Sequence, residues 1–223
     1  MRLASLFSGG KDSTYATYLM EQMGHEVDFL VGILPDFPDS WMFHTPNLHL
    51  LPLQAEAMGK RLVTARSDGG EKDDLRALRQ ALMGLEVEGV ITGALASDYQ
   101  WDRINEVCEG IGLAVYSPLW RKDQRLLMEE MVAEMEVMVV GISAEGLGHE
   151  WLGRRLNEAA LEELEAVAGK YGINLSGEGG EYETLVLDSP LHLRPLLVSA
   201  WKEELARDGG RIRVTKVRLG VRR

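Results

Sequence analysis

Three scarcities bound this chain before any motif is read. It holds a single cysteine, Cys108, in 223 residues. One thiol excludes a disulfide framework and a zinc site built from cysteines. Cys108 closes the stretch Ile104-Asn105-Glu106-Val107-Cys108, where it is expected to be a small buried hydrophobe on a helix. Positive charge is short as well: 24 lysines and arginines face 35 acids, a formal net charge of −11. Such a balance argues against affinity built on nucleic-acid phosphates, so no nucleic-acid partner is expected. Basic residues do crowd at Arg211, Arg213, Lys216, Arg218, Arg222 and Arg223, where a solvated strand face and tail is the plainer reading. Long apolar runs are the third lack. None approaches the roughly 18 residues of a membrane span, and the opening residues read as a strand rather than a leader. A cytoplasmic protein with no membrane partner is expected.

What remains is ordinary globular material, 45% hydrophobic, enough for one α/β domain and a smaller appendage. Apolar runs suited to strands fall at residues 3–7, 27–34, 61–64, 89–92, 114–117 and 136–142. Helical spacing falls between them, at 13–23, 51–59, 72–85, 98–111 and 124–133. This βαβ rhythm predicts an α/β protein with a parallel, doubly wound sheet covered on both faces. Beyond Pro118 the pattern changes. A charged amphipathic helix at 157–171 is followed by an acidic, glycine-rich loop at 172–190 and an alternating strand at 211–219. Two domains are expected, 1–120 and a smaller C-terminal α+β domain at 121–223.

Ser8-Gly9-Gly10-Lys11-Asp12-Ser13 sits between the first strand and the first helix. Glycines let backbone N–H groups approach phosphate oxygens, and a helix N-terminus carries partial positive charge. Ser8 and Ser13 offer hydroxyls, and Lys11 offers a cation. An ordinary serine-capped glycine turn is the competing reading. The loop lacks the G-x-x-x-x-G-K-[ST] spacing of a P-loop and the G-x-G-x-x-G of a dinucleotide turn. It resembles instead the SGGxDS loop of the ATP pyrophosphatases, which cleave ATP between the α and β phosphates.

Three further clusters carry chemistry. Gly93-Ala94-Leu95-Ala96-Ser97-Asp98-Tyr99-Gln100 follows a strand, with Ser97 or Asp98 ready to cap a helix and Arg103 one turn on. Gly177-Glu178-Gly179-Gly180-Glu181-Tyr182-Glu183-Thr184 sets three glutamates on a glycine loop. Such a cluster is costly unless it is solvated or given a cation. A hydrophilic hairpin competes there with a carboxylate site for Mg²⁺, ammonium or a cationic substrate group. Trp41-Met42-Phe43-His44-Thr45-Pro46-Asn47 is either buried packing or a pocket lining. No histidine pair has metal spacing.

These clusters, in this order, resemble the diphthine–ammonia ligase family, the N-type ATP pyrophosphatases of the PP-loop superfamily, in its short archaeal type. The matching runs are SGGKDS, MFHTPN, GALASDYQ, SPLW, WLGR and GEGGEYETLVLDSP. The resemblance implies a Rossmann-like (HUP) ATP-binding domain at 1–120 and a substrate-binding domain at 121–223. It implies ATP and Mg²⁺ as cofactors, with ammonium and a diphthine-bearing elongation factor as partners. The implied reaction activates the diphthine carboxylate as an acyl-adenylate, which ammonia converts to the amide, releasing AMP and pyrophosphate. ATP would contact Ser8, Gly9, Gly10, Lys11, Asp12, Ser13, Gly93 and Ser97. Lys11, Asp12, Glu178, Glu181 and Glu183 would act in catalysis, Asp12 also as metal ligand, and His44, Asn47, Tyr99, Gln100 and Arg103 would line the substrate. A PP-loop enzyme acting on tRNA and a non-catalytic adenine-nucleotide sensor are the rival readings. A homodimer is also admitted.

Overall fold

The computed structural model describes residues 1–36, 46–68 and 70–221. Two compact units emerge. The first comprises Met1–Ser8 with Asp12–Arg121, and the second Gly9–Lys11 with Lys122–Arg223.

In the first unit β1 (Arg2–Leu6) is almost wholly buried, which its Leu3, Ala4 and Leu6 make favourable. It is followed by α1 (Lys11–Gln22), β2 (Glu26–Pro35), α2 (Leu51–Met58) and β3 (Arg61–Ser67). Then come α3 (Glu71–Leu82), β4 (Gly89–Ile91), α4 (Asp98–Glu109) and β5 (Ala114–Tyr116). The five strands pair in parallel in the order β3-β2-β1-β4-β5. Alternation along the strands divides the cover. Ala4, Leu6, Val31, Ile33 and Val90 face Leu78, Ala81 and Leu82 of α3 and Ile104, Val107 and Cys108 of α4. On the opposite face, Ser5 Oγ lies 2.6 Å from Thr17 Oγ1 of α1, a buried contact that fixes the helix to β1. Leu51 of α2 fills the space beside Gly32, where a Cβ would meet it at 2.7 Å. The sheet is therefore doubly wound, as the βαβ rhythm predicts.

Strand order places the ligand crevice. From β1 the chain winds outward to β2 and β3, then returns to β4 on the other side of β1. The topological switch point lies beyond the carboxyl ends of β1 and β4, where open α/β sheets bind ligands.

The second unit is built around α5 (Gln124–Glu134), β6 (Glu136–Ile142), β7 (Arg155–Leu156), α6 (Glu158–Tyr171), β8 (Tyr182–Asp188), β9 (Leu196–Ala206) and β10 (Gly209–Leu219). Its sheet is antiparallel. The apolar β6 pairs with β7, β8 and β10, and β9 adds to β10. Asp123 and Asn157 cap α5 and α6 by accepting from Leu126 N–H and Ala160 N–H. Two expectations change here. The acidic segment is a loop only as far as Glu181, because Tyr182–Asp188 is a buried strand against β6. The strand at 211–219 is the second arm of a hairpin whose first arm, β9, is mostly exposed.

Among the described residues no helix is long and apolar enough to cross a membrane.

Candidate active site

The glycine loop leaves β1 through Phe7, whose N–H donates to Val31 C=O at 2.9 Å. Gly9 takes a left-handed φ of +80°, which a side chain would resist, and α1 begins two residues later. Ser13 draws the loop back on itself. Its Oγ accepts from Ser8 N–H at 3.2 Å and lies 3.2 Å from Ser8 Oγ. Two hydroxyls and the first helical turn are thereby gathered at the switch point.

Gly93, two residues past the end of β4, completes that corner of the first unit. A Cβ on Gly93 would lie 2.7 Å from Ser13 N and 2.8 Å from the Asp12 carbonyl carbon. The absent side chain therefore serves the approach of α1 to the β4 turn. Thr92 Oγ1 accepts from Ala94 N–H, and Ser97 Oγ caps α4 by accepting from Gln100 N–H at 3.3 Å. Of the two caps the sequence offers, Ser97 and Asp98, Ser97 is the one used.

Gly9–Lys11 packs within the second unit, held by β8 and the loop before it. Val186 N–H donates to Gly9 C=O at 3.0 Å, and Lys11 N–H donates to Thr184 Oγ1 at 3.1 Å. The Lys11 side chain is 2% exposed. Its ammonium donates to Ser176 C=O at 2.5 Å and stands 5.3 Å from the centre of the Tyr182 ring. A buried lysine demands such partners, since an unpaired charge in low dielectric is costly. The Gly-Glu loop is itself tightly folded. Gly177 and Gly180 have φ of +71° and +81°, and Tyr182 OH donates to Leu175 C=O at 2.7 Å.

The three glutamates occupy different settings. Glu181 Oε1 accepts from Asn174 N–H at 2.8 Å and Asn174 Nδ2 at 2.7 Å, so this carboxylate braces the loop. Glu183 lies on β8 opposite Gly141 of β6, and Glu178 is half-buried in the turn. The common loop expected for all three is thus divided between a turn and a strand.

On α4, Arg103 lies over the Tyr99 ring, its guanidinium carbon 3.5 Å from the ring centre, and its Nε donates to Glu71 Oε1 at 2.5 Å. Hydrogen bonds from Arg103 and Tyr99 hold the Glu71 carboxyl below the usual range. Desolvation and the Glu71 carboxylate push the Tyr99 hydroxyl up. Glu71 has no distinguishing signal in sequence, being one acid among several at the start of α3. Gln100, one residue past Tyr99 on α4, is half-buried. The same unit stacks Trp101 on Trp120, ring centres 5.6 Å apart at 27°. Asn47 is buried with a left-handed φ of +73°. His44, with the Trp41–Thr45 stretch, lies outside the described residues. Among the described residues no three His, Cys, Asp or Glu side chains converge to hold a metal.

A parallel β3-β2-β1-β4-β5 sheet with a glycine–hydroxyl loop at its switch point defines a Rossmann-like α/β protein. Residues 1–115 match the diphthamide synthase N-terminal domain, and residues 123–219 match the diphthamide synthase C-terminal domain. The chain belongs to the diphthamide synthase family. It is 37% identical to the diphthine–ammonia ligase of Rattus norvegicus over 89% of this chain and 83% of that protein. The Homo sapiens diphthine–ammonia ligase is 35% identical over 90% of this chain and 84% of its own length. The Schizosaccharomyces pombe enzyme of that name is 32% identical over the whole of this chain, which spans 40% of that longer protein.

Proposed function

We propose that this chain is an ATP-dependent ligase that amidates diphthine on the translocating elongation factor. Family membership and the names of its relatives support the ligase and its C–N bond. One structural observation carries the mechanism. The glycine loop and the Gly-Glu segment are joined through Lys11, whose amide binds Thr184 and whose ammonium binds the Ser176 carbonyl.

The donor set of Ser8–Ser13 fits a polyphosphate: two hydroxyls, a lysine and the amides of a helix start, with a single carboxylate. In the proposed reaction the diphthine carboxylate attacks the α phosphorus of ATP. The α–β bridging bond breaks and pyrophosphate leaves, its charge offset by Lys11 and the start of α1. Gly93 and Ser97 border the adenosine end, while Asn47, Tyr99, Gln100 and Arg103 line the substrate side. Asp12 is the carboxylate suited to hold Mg²⁺, which when bound neutralises phosphate charge. Ammonium gives a proton to a carboxylate of the Gly-Glu segment, for which Glu178, Glu181 and Glu183 are the candidates, Glu181 also bracing the loop through Asn174. Ammonia then attacks the acyl carbon, and AMP departs with the electrons of the acyl–oxygen bond. The first unit serves ATP and the second serves the protein substrate.

The test is pyrophosphate release from ATP with ammonium and either diphthine-bearing factor or tRNA. Release that requires the factor supports the ligase. Release that requires tRNA, or nucleotide binding with no turnover under either condition, contradicts it.

A further inference from the structure

One face of the β9–β10 hairpin is basic, against the acidic trend of the chain. Residues directly opposite in an antiparallel ladder share a face. β10 turns Ile212 and Val214 into the core, so Arg211 and Arg213 point the other way, with Glu204 and Lys202 of β9 opposite them. Past the two register shifts around Lys216, buried Leu196 marks the core face opposite Leu219, and Arg218 stands on the outer face opposite Leu197. Lys216 lies between Arg213 and Arg218 and is exposed as they are. Within this strip Arg211 donates to Glu204 at 2.6 Å. Lys202, Arg213, Lys216 and Arg218 pair with no carboxylate among the described residues. Scarcity of acid is not the reason. The chain has 35 acids to 24 lysines and arginines, and Arg125, Arg154 and Arg155 of the same unit each hold a glutamate. Lys202 moreover faces Arg213 directly in the ladder, a like-charge opposition that works against the hairpin. Unneutralised cations held side by side raise the local potential and favour an anion from outside the chain.

We propose that this outer face docks an acidic stretch on the surface of the protein substrate. The identity of that protein rests on the function proposed above, which gives the second unit to it. Charge complementarity names the chemistry: carboxylates of the incoming protein neutralise Lys202, Arg213, Lys216 and Arg218 and relieve the Lys202–Arg213 opposition. A nucleic acid fits the face less well. Glu204 sets a carboxylate within the strip, and the exposed Trp201 shares the opposite face with Val214, where it cannot stack a base bound among these cations. A net charge of −11 also repels a long polyanion, whereas a short acidic segment meets only the local cations.

The assay is binding of the full chain to diphthine-bearing elongation factor at about 50 mM and about 300 mM salt, with steady-state amidation of the same factor. Native affinity is expected to weaken as salt rises. The double variant Lys202→Glu with Arg213→Glu should raise both the Kd and the KM for the factor by about tenfold or more, with kcat and the KM for ATP unchanged. Lys202→Thr removes the like-charge opposition with a residue suited to strands. It should keep or raise the melting temperature and still raise the KM for the factor, a loss of docking without a loss of fold. Binding that ignores salt, a double variant with the native KM, or tRNA that displaces the factor and needs Lys202 and Arg213 to bind would each overturn the proposal. Amidation by the native chain with an unchanged KM in the double variant removes the docking face and leaves the ligase. Binding of the factor that needs Lys202 and Arg213 but yields no amide removes the ligase and keeps the docking face.

Discussion

The backbone N–H of Lys11 donates to Thr184 Oγ1, 173 residues away in sequence, at 3.1 Å. The first amides of an α-helix have no partner within the helix, and here a strand hydroxyl satisfies the first of them. The Gly9–Lys11 part of a loop expected to hold phosphate is thus fixed by β8, the strand that carries Glu183. Thr184→Val keeps the shape and removes the acceptor. A loss of about 1–3 kcal/mol in unfolding free energy is expected, with a raised KM for ATP, and Thr184→Ser should recover both. Chemical denaturation and steady-state kinetics measure the two effects.

Lys11→Ala removes the proposed countercharge of the leaving pyrophosphate. Conversion of ATP to AMP should fall by about 100-fold or more, judged against electrostatic groups of similar placement. Unchanged turnover would dismiss the phosphate assignment.

Gly93→Ala tests the contact between the β4 turn and α1. The new methyl would meet backbone rather than a side chain that can move, at 2.7 Å from Ser13 N. Displacement of the first turn should cost about 1–3 kcal/mol and lower kcat/KM for ATP at least about tenfold. Thermal denaturation and AMP formation report the outcome.

Glu183 and Asn174 should separate chemistry from bracing. Glu183→Gln is expected to need about 100-fold more ammonium for half-maximal diphthamide formation, with the KM for ATP unchanged. Asn174→Ala, which removes the side-chain donor to Glu181 Oε1 and keeps the main-chain one, should lower the melting temperature and leave the ammonium dependence alone. Titration of ammonium at saturating ATP distinguishes them.

Burial pushes the Cys108 thiol up from 9.0 to about 12. The protonated form is the one the fold accommodates, so this contribution to stability is intact below pH 9 and is lost as pH rises toward 12. The slope is at most about 1.4 kcal/mol per pH unit. Denaturant titrations of the native chain should show it, and Cys108→Val should not. For the same reason the native thiol should resist alkylation at pH 8.

The parallel sheet is legible in the sequence because its strands are nearly continuous apolar runs and its helices keep a 3.6-residue period. Ser97 is legible as a cap because it directly precedes the amphipathic turn of α4. Tyr182–Asp188 is hidden because the glycines and glutamates of residues 177–181 run directly into it, and only pairing with β6 reveals where the strand begins. Lys202-Glu203-Glu204 disguises β9 in the same way. The candidate site is less legible than the fold. SGGKDS announces a loop, yet the partner of the Lys11 ammonium is a main-chain carbonyl 165 residues on, which no local pattern encodes. The contact of Gly93 with Ser13 depends on β4 lying beside β1, a property of strand order.

The reaction itself is tested most directly by counting products with ¹⁵N-ammonium, ATP and diphthine-bearing elongation factor. The account predicts one labelled amide on the factor for each AMP and each pyrophosphate formed, and none without ATP. Amide formed with ADP and phosphate, or ATP cleaved to AMP without a labelled amide, would contradict it.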